Sequence, residues 1–358
     1  MLQKPKPVQT PRAPKSSAKS SRVQTPPVKM SYSFLKILTG SDLSRRRLPL
    51  MSATSHNPGP VVWLTACVHG DEVGGIAIVQ EVFKEIRRLL VRGEVHAFPL
   101  MNPIGFETAS RNIPVSQEDL NRSFPGESAG SLGKRIADRI LTTILSTQPS
   151  LVLDLHNDWI KSIPYVLVDR SPGKAHRAAY EHSKALAKET GFVVVGETDE
   201  LTSSLTYNLL RHDVPALTFE LGEPRVINEK NVAQGVGAIW NILARLEMIP
   251  PPRQRFSYPL PGGYGRGRLL RYCDKPFSSR SGIIRFLARP GEEIKKNQPF
   301  AKIVNAFGKR LETVRASNDA IVLGHSDSAV VFPGMPMMAF GVTREKTPHP
   351  ESPHSESN

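Results

Sequence analysis

The 358-residue sequence predicts an α/β fold followed by a smaller all-β region. Three observations carry that reading. Short apolar runs alternate with longer amphipathic ones, as strands joined by crossover helices do. The short runs "SLVLDLH" (150–156) and "PALTFELG" (215–222) are apolar throughout and bounded by polar residues, as in strands buried on both faces. Beyond the proline-rich "IPPPRQR" (249–255), long helical patterns cease and short runs alternate with Gly, Pro and Asn turns.

The elements follow in order. "PVVWLTA" (60–66) is the first strand. Ile76, Val79, Val82, Phe83, Ile86 and Leu89 then recur at helical spacing through "GIAIVQEVFKEIRRLL", with charges on the opposite face. "VHAFPLMN" gives a second strand and residues 131–146 a second amphipathic helix. The runs at 150–156 and 215–222 supply two more strands. From Pro261 to Val342 the pattern is all-β, with Pro290 and Gly291 expected at a hairpin turn and Gln298 to Val304 returning from it.

Composition bounds the function. The formal charge of +14 invites a nucleic-acid partner. Half of that excess lies between Met1 and Met30, where seven Lys or Arg occur without an acid, among Pro, Ser and Thr. Such a segment cannot bury enough apolar area to order itself, so residues 1–30 are expected to be a disordered tail, or to precede an internal start at Met30. Residues 344–358 share that character. The intervening chain lacks a stripe of aromatic and basic residues, which argues against nucleic acid. No apolar stretch reaches the roughly 18 residues of a membrane span, which argues against a membrane partner. Two cysteines, Cys67 and Cys273, indicate no disulfide framework and favour a reducing, cytoplasmic setting.

Chemistry concentrates at strand ends. "TACVHGDEVGG" (65–75) places His69 and Glu72 three apart on a turn that its glycines make easy to bend. His156 and Glu220 end two other strands, and in open α/β sheets ligands gather outside the carboxyl ends of strands. Two imidazoles and one carboxylate form a hydrolytic zinc set that leaves a fourth position for water and brings its pKa toward about 7. A lone His-x-x-Glu is more often a solvated pair. Asp71 and Asp158 read as supporting or turn-forming groups, and Cys67 as a small core residue. The long aperiodic segment 101–127 carries Arg111, Asn121 and Arg122; guanidinium groups beside a metal suit oxyanion stabilisation and carboxylate binding.

The ordered series "HGDE", "NPIGFETASR", "DLNRSFPG", "DLH" and "LTFELG" resembles the succinylglutamate desuccinylase and aspartoacylase family, a deacylase branch of the M14-like zinc carboxypeptidase superfamily. The resemblance covers Pro60 to Gly222 by motif and continues more weakly to about Gly341. It implies a zinc-carboxypeptidase-like mixed sheet flanked by helices over residues 31–250. It also implies one zinc per chain held by His69, Glu72 and His156, with Glu220 as the general base that activates the metal-bound water. Arg111 would polarise the scissile carbonyl, while Asn121 and Arg122 hold a substrate carboxylate. The substrate class implied is a small N-acyl amino acid or N-acyl amine. Where family members acting on aspartyl substrates have a Tyr and an Arg before the general base, the positions here are near Thr206 and Leu210, which offer no charge. That departure points away from N-acetylaspartate, unless Tyr207 and Arg211 fill the roles in a shifted alignment.

Residues 256–343 resemble a barrel-sandwich or lipoyl-like β domain, although "PGMPMMAFG" (333–341) lacks the carrier lysine. This region is expected to cap the site or mediate assembly into a homo-oligomer, or simply to stabilise its neighbour. Two alternatives stand beside the deacylase reading: a zinc carboxypeptidase acting on peptides, and a non-catalytic binding protein using the basic tail.

Overall fold

The computed structural model describes residues 27–40, 43, 45–198, 201–261, 264 and 267–343. Strands β1 (Lys29–Thr39) and β2 (Arg45–Thr54) form an antiparallel hairpin at one edge of a large sheet. Lys29 and Met30 therefore belong to a strand, inside the segment read from the sequence as a tail; residues 1–26 and 344–358 lie outside the described residues. Then come β3 (Val61–Ala66), α1 (Gly74–Leu89), β4 (Glu94–Phe98), α2 (Pro103–Glu107), a 3-10 turn at Leu120–Arg122, α3 (Leu132–Ser146), β5 (Leu151–His156), β6 (Lys161–Ser162) and β7 (Tyr165–Val168). The chain continues through α4 (Arg177–Ala187), β8 (Val193–Gly196), α5 (Leu205–Arg211), β9 (Ala216–Glu220) and α6 (Glu229–Arg245). The C-terminal strands are β10 (Leu269–Cys273), β11 (Gly282–Phe286), β12 (Glu293–Ile294), β13 (Pro299–Val304), β14 (Arg310–Arg315), β15 (Ala320–His325), β16 (Val330–Val331) and β17 (Met338–Val342).

The large sheet runs β1-β2-β4-β3-β5-β9-β7-β8-β10-β17-β15-β12 and is mixed. β4, β3, β5 and β9 are parallel, β7 enters antiparallel to β9, and β8 and β10 run parallel to β7. Strand periodicity decides what each face carries. In β5, Leu151, Leu153 and Leu155 enter one apolar cluster, and Val152 enters the cluster on the other face. Asp154 and His156 share the face of Val152. By the same alternation Leu217 and Phe219 of β9 face the first cluster, leaving Thr218 and Glu220 on the face of His156.

Helices α1, α4 and α6 cover the first face. Helix α1 has no side-chain N-cap bond, so its buried stripe of Ile78, Val79, Val82, Phe83, Ile86 and Leu89 is what holds it. Each such side chain is worth roughly 1.5–3 kcal/mol when fully buried. Helices α3 and α5 pack on the other face through Ile136, Ile140, Ile144, Leu205 and Leu209. Ser131 caps α3 and Ser204 caps α5.

In the C-terminal region β11 pairs antiparallel with β13, as the expected return at Gln298 to Val304 implies. The connection is more than a hairpin. Gly291 takes the turn at φ 86°, but β12 follows it and pairs with β15 in the large sheet. β14-β13-β11-β16 make a separate four-stranded antiparallel sheet.

Candidate active site

Because β3, β5 and β9 are parallel, their carboxyl ends meet at one edge of the sheet. His69 follows β3 by three residues, Glu72 immediately precedes the start of α1 at one residue's remove, and His156 ends β5. Glu220 ends β9 and stands opposite His156 in register. The turn after β3 is compact: Glu72 N–H donates to the His69 carbonyl at 3.1 Å. Gly70 permits it, because a Cβ there would lie 2.0 Å from the backbone carbon of Gly105.

Ligand-type atoms of His69, Glu72 and His156 lie within 4.8 Å of one another, and all three residues are buried. His69 Nδ1 is 2.6 Å from Glu72 Oε1, and His156 Nδ1 is 2.9 Å from Glu72 Oε2. The far nitrogen of each ring is also engaged. His69 Nε2 lies 3.2 Å from Asp119 Oδ1 and His156 Nε2 lies 2.9 Å from Asp154 Oδ2. A carboxylate behind Nε2 is the arrangement that, once a metal takes Nδ1, receives the ring's remaining N–H, as it does in metal-ligating histidines. Two imidazole nitrogens and one carboxylate converging in this way suit a zinc ion.

The local electrostatics are those of groups pressed together. Burial alone would raise Glu72, but the His69 and His156 imidazoles hold its carboxyl well below the usual range. Burial opposes charge on His156, yet Asp154 and Glu72 raise it well above an ordinary histidine. Burial raises Asp119 too, but His69 and Arg111 outweigh that and bring it to about 2. Glu220 behaves oppositely: burial, joined by the charges of Asp158 and Glu72, lifts it to about 8 against the pull of His156.

The triad opens into a cavity of about 300 Å³ that Glu220, Arg111, Asn121 and Arg122 also line. All seven residues singled out in the sequence therefore meet at one site. Arg111 reaches it because Gly70 N–H donates to its carbonyl at 3.4 Å; its guanidinium lies 3.4 Å from both Glu72 Oε1 and Asp119 Oδ2. Asn121 is partly committed, since its Oδ1 accepts the Leu205 N–H at 2.9 Å and ties the 3-10 turn to α5. Arg122 is exposed and donates to the Asn121 carbonyl.

Of the residues near the departure noted in α5, only Thr206 lines the cavity; Tyr207 is buried and Arg211 is exposed. Asp71 takes no part in the donor set, lying 3.7 Å from Arg225 Nε. Cys67 is a core thiol that burial pushes up to about 12. Asp158 accepts the Tyr165 hydroxyl at 3.0 Å. Sequence reasoning missed Asp119, Asp154 as a histidine anchor, Tyr165, Asp169 and Tyr272. A spacing signal existed for Asp154, two residues before His156 on one strand; none existed for Tyr272, which arrives from β10.

Residues 58–246 match the model of the succinylglutamate desuccinylase/aspartoacylase catalytic domain. An N-alpha-acetyl-L-2,4-diaminobutyric acid deacetylase from Halomonas elongata is 35% identical over 130 residues, which is 36% of this chain. The match spans 38% of that relative's length. The product-bound ectoine utilization protein of Ruegeria pomeroyi superposes with a TM-score of 0.74 at 20% identity, covering 95% of this chain and 100% of that one. A succinylglutamate desuccinylase from Silicibacter sp. TM1040 gives 0.73 at 17% identity, covering 94% and 98%. A succinylglutamate desuccinylase/aspartoacylase from Rhodobacter sphaeroides gives 0.72 at 21%, covering 89% and 96%. These superpositions establish a shared fold along nearly the whole chain.

Proposed function

The chain belongs to the succinylglutamate desuccinylase/aspartoacylase family, and from that premise we propose that it hydrolyses the amide bond of a small N-acyl amino acid in a zinc-dependent reaction. The observation that carries this reading is the convergence of His69, Glu72 and His156, with both histidine Nε2 atoms held by carboxylates, beside Glu220 in one cavity. His69, Glu72 and His156 would hold one zinc ion. When bound, zinc supplies a Lewis acid that acidifies water and polarises a carbonyl.

The remaining roles fall to the chain's own groups. Glu220 takes the proton of the attacking water and passes it to the leaving nitrogen. A carboxyl lifted to about 8 is well matched to a group that must both accept and donate near neutral pH. The Arg111 guanidinium, half-exposed at the cavity mouth, faces the negative charge that develops on the carbonyl oxygen. Arg122, with the Nδ2 of Asn121, receives a substrate carboxylate. Asp119 and Asp154 keep the imidazoles in the tautomer that presents Nδ1.

The relative from Halomonas acts on an N-acetylated diamino acid, which places such compounds on the panel of substrates to be tried. Purified protein should release free amine from at least one member of a panel of N-acetyl and N-succinyl amino acids, and a chelator should abolish the release. Absence of hydrolysis across the panel in zinc-supplemented enzyme, or hydrolysis unaffected by chelator, would overturn the proposal.

A further inference from the structure

The small antiparallel sheet has one covered face and one bare face. Ile284, Ala301, Ile303, Val314 and Val331 point inward and join Ala320, Val322 and Phe340 of the large sheet in one apolar cluster. Alternation along each strand turns their neighbours outward. On that outer face Val304, Ile283 and Val330 stand opposite one another across β13, β11 and β16, with Arg310 of β14 opposite Val304. Arg285 and Lys302 face each other in the next row.

One end of this sheet is an apolar tip. Val331 stands opposite Gly282 and Val304 opposite Ile283, so Phe332 and the β13–β14 turn that carries Phe307 leave the sheet at the same end. Phe307 is 96% exposed and Phe332 53%, and Ile283 and Val330 beside them are exposed as well. A single exposed apolar side chain is ordinary; four gathered at one end of one sheet mark a contact surface. Arg280, Arg285, Lys302, Lys309 and Arg310 surround them, and none of the five forms an ion pair among the described residues. Glu312 is the one acid in the four strands, and its Oε2 already accepts the Ser279 N–H at 3.1 Å and the Ser278 hydroxyl at 3.3 Å. Like charges set directly opposite each other, as Arg285 and Lys302 are, weaken a sheet. An anionic partner would relieve that repulsion.

We propose that this face docks on an anionic lipid surface, with Phe307 and Phe332 entering the headgroup layer and the five cations meeting its negative charge. Charge complementarity selects this occupant. A second copy of the same face would set cations against cations, which opposes a two-fold pairing. Bases of a single-stranded nucleic acid stack on aromatic platforms, whereas the row here is aliphatic and both phenylalanines stand at the tip. Apolar side chains that project from a tip ringed by cations suit a fluid interface, where binding grows with buried apolar area and with attraction to anionic lipid. Peripheral contact of this kind needs no spanning helix, and no described helix is long and apolar enough to cross a membrane.

Co-sedimentation of the full chain with phosphatidylcholine vesicles, with and without phosphatidylserine, tests this without requiring turnover. The proposal expects binding to the phosphatidylserine vesicles to be about ten-fold tighter or more. Two paired variants, Phe307→Ser with Phe332→Ser and Arg285→Glu with Lys302→Glu, should each lose most of that binding at an unchanged melting temperature. In Phe307→Trp, adding the same vesicles should shift the indole emission to the blue, beyond any change in the wild type. Equal binding to both vesicle types overturns the proposal. So does affinity retained in either paired variant, which would move the binding to another basic segment such as residues 1–30. An acidic polypeptide or an oligonucleotide that binds more tightly than the vesicles, and is lost in the same variants, would give the face a different partner and overturn the lipid assignment. If a paired variant does not fold, the Phe307→Trp emission decides by itself.

Discussion

Each histidine of the candidate centre is held from behind by an aspartate, Asp119 for His69 and Asp154 for His156, and both aspartates sit inside motifs quoted from the sequence. The donor set was legible because His156 ends a predicted strand, while His69 and Glu72 stand three apart in the glycine-rich turn just after another. The anchors were not, since Asp119 reaches His69 across 50 residues. Asp169 escaped notice for a related reason: nothing in "VLVDRSPG" says that its buried Oδ2 finds no donor among the described residues. Burial is the main cause that lifts its carboxyl to about 6. The folded state therefore binds the proton more tightly than the unfolded chain, and stability falls as pH rises from about 4 through 6. Asp169→Asn removes that penalty. The variant should be more stable than the wild type at pH 7, by on the order of 2 kcal/mol, with the gain vanishing below about pH 4. Thermal denaturation at both pH values checks this, and a loss of stability at pH 7 would mean that the carboxylate has a structural partner.

At the scale of elements, the apolar runs 60–66, 150–156 and 215–222 declared their strands because both faces are buried. The β1–β2 hairpin did not, as its first strand is half-exposed and abuts a basic, proline-rich stretch. Helices α4, α5 and α6 went unassigned, and α5 matters most because it brings Thr206 against Asp169. The turn from β3 to α1 carries the most function per residue. Gly70→Ala would drive a Cβ into the backbone of Gly105 and Phe106, at 2.0 and 2.3 Å, where no flexible side chain can yield. The loop that brings Arg111 would have to move. A loss of about 1–3 kcal/mol is expected, together with loss of most activity. A variant with unchanged melting temperature and activity would show that this contact does not set the turn.

At the scale of the whole molecule, the alternation of strands and helices declared an α/β domain, but the order of the sheet was hidden. Two features could not be read locally: the antiparallel entry of β7, and the pairing of β10 with β8 that carries the large sheet into the C-terminal region. Both depend on partners distant in sequence. The second bears on function, because β10 supplies Tyr272 to the cavity wall. We therefore take residues 256–343 as a region that shapes the site rather than a detachable module. The most direct test of the central claim is the zinc content of protein purified as wild type, Glu220→Gln and His156→Ala. The account predicts one zinc per chain in the first two, with turnover lost by ~100-fold or more in Glu220→Gln, and no zinc in His156→Ala. Full occupancy in His156→Ala, or a metal-free wild type that still hydrolyses an N-acyl amino acid, would contradict it.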